Sequence, residues 1–185
     1  MQELSLNVLD IAQNSIKADA SLVTIVLDRD RAANTLAIEI HDDGCGMTEE
    51  QVAHVTDPFY TTRTTRKVGL GVPFFKMTAE MTGGAFSLHS QVGRGTDIRA
   101  FYHTDHIDMF PVGDMTATIV SLVSVNPQID FCYISRVDGR EFTMDTREVK
   151  QVLEGVPVNA PEVLTFIRDY ITENQQEIEL DEQED

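Results

Sequence analysis

The sequence has little of what several large protein classes require. Its two cysteines, Cys45 and Cys132, have no neighbours at metal-ligand spacing, so neither a disulfide framework nor a zinc site is predicted. Only 14 Lys and Arg stand against 31 Asp and Glu, and the net charge of −17 would repel a nucleic-acid backbone. No uncharged apolar run is long enough to cross a bilayer, and the first residues lack the basic segment followed by an apolar run that is typical of a signal peptide. We therefore expect a cytoplasmic protein with reduced thiols, no membrane span and no direct contact with nucleic acid.

The hydrophobic content of 42% is sufficient for a packed core in a chain of 185 residues. Seven acidic residues and no basic residue lie in the last thirteen positions, 173–185. Such a segment is typical of a solvated, frayed terminus, with docking to a basic partner as the alternative. The sequence predicts a core over 1–103, an extension over 104–172 and a disordered acidic tail over 173–185.

Hydrophobic periodicity and turn residues predict the order of helices and strands. The expected helices are at 2–18, from Thr48 to near Asp57, and at 72–81, 115–125, 146–154 and 160–173; the expected strands are at 22–27, 36–40, 85–90, 96–102, 129–137 and 140–145. This order predicts an α+β two-layer sandwich, in which helices cover one face of a mixed, mostly antiparallel sheet, plus a small C-terminal α/β extension.

Three polar residues share one face of the first predicted helix. Asp10, Asn14 and Lys17 are separated by four and three positions, which aligns their side chains along the helix. A carboxylate, an amide oxygen and an ammonium group together suit a magnesium-bound triphosphate. The alternative is the ordinary polar face of a surface helix.

Two glycine-rich segments follow strands of the predicted core. In Asp42-Asp43-Gly44-Cys45-Gly46-Met47 the glycines allow close approach to a flat ligand, and a carboxylate can accept a hydrogen bond from an adenine amino group. In Gly93-Arg94-Gly95-Thr96 the Thr96 hydroxyl could support the same contact through water. Each segment is equally compatible with a simple turn.

A third glycine pair lies beside the main concentration of positive charge. Gly69-Leu70-Gly71 precedes a helix, whose N-terminal N–H groups attract anions. Arg63, Arg66 and Lys67 lie just before it, in an otherwise acidic chain. This arrangement indicates an anion nearby.

In this order, the motifs resemble those of the GHKL superfamily, named for gyrase, a heat-shock chaperone, histidine kinases and MutL-type repair proteins. Asn14, Asp42-x-Gly44-x-Gly46, Phe59, Gly69-Leu70-Gly71 and Gly93-x-Gly95-Thr96 correspond to its N, G1, F, G2 and G3 boxes. The resemblance covers residues 4–103 and implies the Bergerat fold with bound ATP and Mg²⁺. Asn14-Ser15-Ile16-Lys17 and Phe59-Tyr60-Thr61-Thr62-Arg63 are similar to the boxes of histidine kinases, with Arg63 at the usual lysine.

The resemblance implies a role for each matching residue. Asn14 would ligate Mg²⁺, Lys17 would reach the phosphates, and Asp42 would hold the adenine amino group. Gly69 and Gly71 would contact phosphate from a lid over about 60–71. Asp10, Asn14 and Lys17 form the implied catalytic set, and the implied nucleotide-binding set is Asn14, Lys17, Asp42, Gly44, Gly46, Met47, Phe59, Thr61, Thr62, Arg63, Gly69, Leu70, Gly71 and Thr96.

Two activities are compatible with these residues, and a nucleotide sensor without turnover is a third, non-enzymatic alternative. The first is a kinase-like protein that transfers the γ-phosphate to a histidine or serine of a partner protein. The second is a slow ATPase that switches a protein interface, with Asp10 at the position where ATPase branches carry a glutamate base. None of the five histidines has the setting of a phosphoacceptor, and no acceptor hairpin is expected before the first helix. Partner, pathway and oligomeric state, a homodimer included, stay open.

Overall fold

The computed structural model describes residues 3–57 and 71–180. In chain order its elements are α1 (Leu4–Lys17), β1 (Leu22–Asp30), β2 (Thr35–Asp42), α2 (Glu49–Val55), α3 (Gly71–Met81), β3 (Ala85–Gln91), β4 (Gly95–His103), α4 (Met115–Val125), β5 (Asp130–Val137), β6 (Arg140–Asp145), α5 (Thr146–Val152) and α6 (Pro161–Glu179). Each element coincides, within about three residues at its ends, with a predicted one, except that α6 continues beyond the predicted end at residue 173.

The six strands form one mixed sheet in the order β3-β4-β2-β1-β5-β6. Four of the five strand pairs are antiparallel, and β1 with β5 is the parallel pair. Four helices pack side by side, with α1 between α3 and α4, and α6 next to α4. The predicted α+β sandwich with a mixed, mostly antiparallel sheet is confirmed.

Alternating residues of the strands supply one side of the core. Val23, Ile25 and Leu27 of β1 are buried together with Leu36, Ile38 and Ile40 of β2. Successive side chains of a strand point to opposite faces, so these apolar residues line the face that the helices cover. The other face carries ion pairs, among them Arg99 with Glu39, and the ring of His41 between Asp97 and Glu39.

The C-terminal extension is part of the same sheet. Strand β5 pairs along β1, and its Phe131 and Tyr133 belong to the buried core. The segment before α4 also contacts the start of α1, where the backbone N–H groups of Leu4 and Ser5 donate to the carbonyls of Pro111 and Val112. These bonds satisfy N-terminal donors of α1, a helix with no side-chain cap.

The prediction of a disordered tail from residue 173 is wrong over its first part. Helix α6 continues to Glu179, because Val163, Ile167, Ile171 and Ile178 keep its apolar face buried. Charge dominates the composition of this segment and conceals the periodicity. Arg31 and Arg140 donate to the carbonyls of Glu179 and Leu180 at the helix end. Residues 181–185 lie outside the described residues.

Candidate functional site

Asp10, Asn14 and Lys17 lie on one face of α1, as their spacing predicted. The opposite face packs against the sheet, so Asn14 is half-buried while Asp10 and Lys17 are exposed. Within the described part of the chain, none of the three side chains forms a hydrogen bond or an ion pair with another protein group. Their oxygen and nitrogen atoms are therefore available to a ligand.

Asp42, at the end of β2, is held on both oxygens of its carboxylate. Ser15 of α1 donates its hydroxyl proton to Oδ2 over 2.6 Å, and the backbone N–H of Gly44 donates to Oδ1 over 2.9 Å. The backbone N–H of Cys45 also donates to the carbonyl of Ala18, over 2.8 Å. The glycine loop after β2 is thus attached to the C-terminal end of α1, close to Asn14 and Lys17.

The glycines of this loop are required by contacts within the protein. Gly46 has a φ of +67°, and a Cβ atom there would lie 2.0 Å from the carbonyl oxygen of Gln91. A Cβ atom at Gly95 would lie 1.9 Å from the carbonyl oxygen of Asp42. Since no side chain fits at either position, the loop after β2 and the β3–β4 turn can pack backbone to backbone. Contacts within the protein therefore require Gly46 and Gly95, whether or not a ligand is bound.

Thr96 lies beside Asp42 in the β2–β4 register and belongs to a hydroxyl network. The Ser90 hydroxyl lies 2.9 Å from both the carbonyl of Gly95 and the Thr96 hydroxyl, and it accepts the backbone N–H of Met47 over 2.8 Å. Because Ser90 donates to Gly95, Thr96 is the donor to Ser90. The lone pairs of Thr96 are then free to accept a hydrogen bond.

Asp43 anchors the same loop from its other side. Its carboxylate accepts the backbone N–H groups of Ser21, over 2.7 Å, and of Leu22, over 2.9 Å, as well as the Ser21 hydroxyl. Partial burial acts to raise the pKa of Asp43, but the hydrogen bonds from Ser21 and Leu22 outweigh it and lower that pKa. Neither motif spacing nor periodicity predicted a role for Asp43, Ser15 or Ser90. Their polar groups are paired by tertiary contacts that no sequence motif reveals.

Gly71, the second glycine of the predicted phosphate-binding pair, contacts α1. It is the first residue of α3 and is buried, and a Cβ atom there would lie 3.1 Å from Cβ of Asp10. The N-terminal end of α3 therefore abuts the polar face of α1. The other residues predicted for this side of the site lie outside the described residues: Phe59, Thr61, Thr62, Arg63, Gly69 and Leu70.

Two features are absent from the described residues. Residues 3–57 and 71–180 contain no group of three or more His, Cys, Asp or Glu side chains that could hold a metal ion. Over the same ranges, no helix has the length and hydrophobicity needed to span a membrane.

Known proteins resemble the N-terminal part of the chain. A sensor protein of Shewanella frigidimarina is 31% identical over 103 residues, which cover 55% of this chain and 16% of that protein. Sporulation kinase C of Bacillus subtilis is 26% identical over 88 residues, which cover 48% of this chain and 20% of the kinase. The chain thus matches a fifth or less of the length of these two relatives.

A solved structure shows the same fold over a larger part of the chain. The crystal structure of the N-terminal domain of a DNA repair protein aligns with a TM-score of 0.54 and 15% sequence identity, over 78% of this chain and 53% of that one. The family model for histidine kinase-, DNA gyrase B- and HSP90-like ATPases matches residues 2–106, more than half of the chain. The protein therefore belongs to this GHKL family of ATPase domains, and its domain is related to those of sensor histidine kinases.

Proposed function

We propose that the protein binds Mg-ATP between α1, the loop after β2 and the start of α3. The strongest support is that the loop after β2 and the start of α3 both contact α1 close to its polar face. Asp42 is bonded to Ser15, Gly71 abuts Asp10, and among the described residues the side chains of Asn14 and Lys17 have no hydrogen-bond or ion-pair partner. Family membership adds that such domains are ATPase-like.

The adenine would bind at the end of β2. Asp42 would accept the hydrogen bond of the exocyclic amino group, and Thr96 has lone pairs free to accept another, directly or through water. Gly44, Gly46 and Met47 would form the wall of the base pocket. The family resemblance alone assigns six further residues to the nucleotide site: Phe59, Thr61, Thr62, Arg63, Gly69 and Leu70.

The phosphates would lie along the polar face of α1. Lys17 supplies positive charge there, and the N–H groups at the start of α3 would face the phosphates beside Gly71. Asn14, with Asp10 four residues before it, offers the oxygen ligands that Mg²⁺ prefers. In nucleotide sites Mg²⁺ takes only one or two ligands from the protein, so this small donor set fits it. When bound, Mg²⁺ offsets the negative charge that develops on the phosphates.

For the reaction, we favour kinase-like phosphotransfer. A histidine nitrogen or serine oxygen of a partner protein would attack the γ-phosphorus, and ADP would leave as the bond to the β-phosphate oxygen breaks. Support comes from relatives that are named as a sensor protein and a kinase, and from Lys17 beside Asn14. Phosphoryl transfer depends mainly on positioning and charge, which these residues can supply.

One contact favours slow ATP hydrolysis as the alternative. Asp10 lies against Gly71, where the phosphates would be bound, and it occupies the position of the glutamate base of the ATPase branches. Its carboxylate makes no hydrogen bond within the described residues and could accept a proton from water. A nucleotide-dependent switch of a protein interface would then be the output.

A thermal-shift experiment tests the binding site that both activities share. Mg-ATP at about 100 times its Kd should stabilise the wild type by about 3 kcal/mol and raise its Tm. Asn14→Ala and Asp42→Ala should remove most of that shift. Gln13→Ala, an exposed neighbour on α1, should retain it. If Asn14→Ala or Asp42→Ala keeps the full shift, the residue assignment is refuted.

Labelled ATP distinguishes the two reactions. With [γ-³²P]ATP and extract of its own cells, a kinase should label a partner protein, and Lys17→Ala should reduce that labelling. A hydrolase should release free phosphate without a labelled protein, and Asp10→Asn should abolish the release while ATP still binds. Phosphate release with no labelled protein would reject the kinase proposal.

A further inference from the structure

The hydroxyl of Ser15 is the link between α1 and the carboxylate of Asp42. Ser15 is only 4% exposed, and its hydroxyl donates to Oδ2 of Asp42 over 2.6 Å. The second donor to this carboxylate, the N–H of Gly44, belongs to the same loop as Asp42 and cannot fix the loop relative to α1. The bond from Cys45 to Ala18 holds the loop backbone at α1, whereas among the described residues Ser15 is the side chain of α1 that bonds to the carboxylate itself.

With these two bonds in place, each carboxylate oxygen of Asp42 can still accept a hydrogen bond from a ligand. Each carboxylate oxygen can accept two hydrogen bonds, and each already accepts one from the protein. The protein donates to both oxygens of the Asp42 carboxylate, so these oxygens present acceptor positions to a ligand. The Asp42 carboxylate can therefore accept a hydrogen bond from an N–H group of the ligand, whereas it repels a carbonyl oxygen at the same place.

We propose that Ser15 is a positioning residue for base recognition, which holds Asp42 so that a 6-aminopurine is bound in preference to a 6-oxopurine. The inference rests on the proposed function, since it requires the base to contact Asp42. Without the Ser15 hydroxyl, the carboxylate would retain only the bond from Gly44. Its orientation would then have to be fixed when the nucleotide binds, at a cost in affinity.

Calorimetry with ATP and inosine triphosphate (ITP) on the full chain tests the proposal. ITP keeps the ribose and the triphosphate of ATP but has a 6-oxo group in place of the amino group. The wild type should bind ATP more tightly than ITP. Ser15→Ala should reduce this preference roughly tenfold, the low end of the effect of a charged hydrogen bond, with little change for ITP. Ser15→Cys keeps the volume and has a weak donor, so an intermediate preference is expected.

A double-mutant cycle separates positioning from a general structural role. In an Asp42→Asn background, Ser15→Ala should leave the ATP-to-ITP ratio unchanged, because Ser15 acts through the Asp42 carboxylate. Ser5→Ala, at another buried serine of α1, should not alter the ratio in the wild type. The proposal is overturned if Ser15→Ala lowers both affinities equally, leaves the ratio intact, or has its full effect without the carboxylate.

The wild-type titration shows which hypothesis has failed. Absence of binding for both nucleotides overturns the proposed function and this inference together. Binding of ATP by the wild type, with an unaltered ATP-to-ITP ratio in Ser15→Ala and Ser15→Cys, overturns the inference alone.

Discussion

At the scale of single residues, the neighbouring aspartates at the end of β2 have separate tasks. The Asp42 carboxylate accepts a hydrogen bond from Ser15 of α1. The Asp43 carboxylate accepts hydrogen bonds from Ser21 and Leu22 at the start of β1. The two carboxylates therefore attach the segment between β2 and α2 to different elements. We assign the first attachment to ligand binding and the second to stability.

Replacement of Asp43 should lower stability and change its pH dependence. Asp43→Ala removes the acceptor of two backbone N–H groups, and since the site is solvent-exposed we expect a loss of about 1 kcal/mol in the free energy of unfolding at pH 7. The pKa of Asp43 is lower in the folded protein than its ordinary value of 3.8. Its contribution is therefore complete above that value and is lost as the pH falls below it.

Urea denaturation at several pH values measures this contribution. The difference between wild type and Asp43→Ala should shrink as the pH falls below about 4. Asp105→Ala, at an exposed turn residue, is the control and should stay within about 0.5 kcal/mol of the wild type. A difference that is constant down to pH 2 would contradict the assigned role of the charge.

The side-chain amide of Asn7 is buried without a hydrogen-bond acceptor among the described residues. Asn7 of α1 is buried, and within the described part of the chain its Nδ2 finds no hydrogen-bond acceptor. An unpaired buried donor costs about 1–3 kcal/mol. Asn7→Leu, of similar size, should therefore raise the free energy of unfolding by about 1 kcal/mol, as measured by urea denaturation. A loss of stability would show that the amide is paired in solution.

At the scale of elements, the shortest helices depend on their caps. Helix α2 has seven residues and buries none of them fully. Thr48 and Gln51 form a capping box, in which each side chain accepts the backbone N–H of the other residue. Because packing contributes little to α2, the cap is a large part of its stability.

Removal of this cap should open α2 without unfolding the protein. Thr48→Ala should cost about 1 kcal/mol, and amide hydrogen exchange should become roughly fivefold faster in Glu49–Val55. Exchange in the strands should change much less. Thr172→Ala, at an exposed position within the longer helix α6, should not affect exchange in α2. Unchanged exchange in α2 would show that other contacts stabilise this helix.

At the scale of the whole molecule, the sheet joins the family core and the C-terminal extension. The family model ends at residue 106, yet β5 pairs with β1 from Leu22 to Arg29, inside the six-stranded sheet. Phe131 and Tyr133 pack in the same core as Ile25 and Leu27. Burial raises the pKa of Tyr133 to about 12, which reflects how far this core excludes water.

A fragment that ends at the predicted domain boundary should therefore not fold independently. Residues 1–103 would expose the edge of β1 and the apolar side chains that α4 and β5 cover. We expect the fragment to lack the cooperative thermal transition that the 1–180 fragment shows in circular dichroism. Cooperative unfolding of 1–103 near the Tm of the longer fragment would establish the boundary as a true domain boundary.

The sequence by itself determined the order of helices and strands and the polar residues that share one face of α1. Periodicity and turn chemistry are local properties, so they predicted the helices, the strands and the shared face of Asp10, Asn14 and Lys17. They failed where a local property was misleading: the charge of residues 173–179 suggested disorder, although Ile171 and Ile178 continue the buried face of α6.

Only the tertiary structure decided which partners the polar groups have. Ser15 and Asp42 are 27 residues apart, and three strands and three helices of the described chain lie between β1 and β5. Hydrogen bonds across such separations depend on how the elements pack, which no local pattern encodes. For this reason the sequence predicted Asp42 as a ligand for adenine, while the hydroxyl that orients its carboxylate was found only in the folded chain.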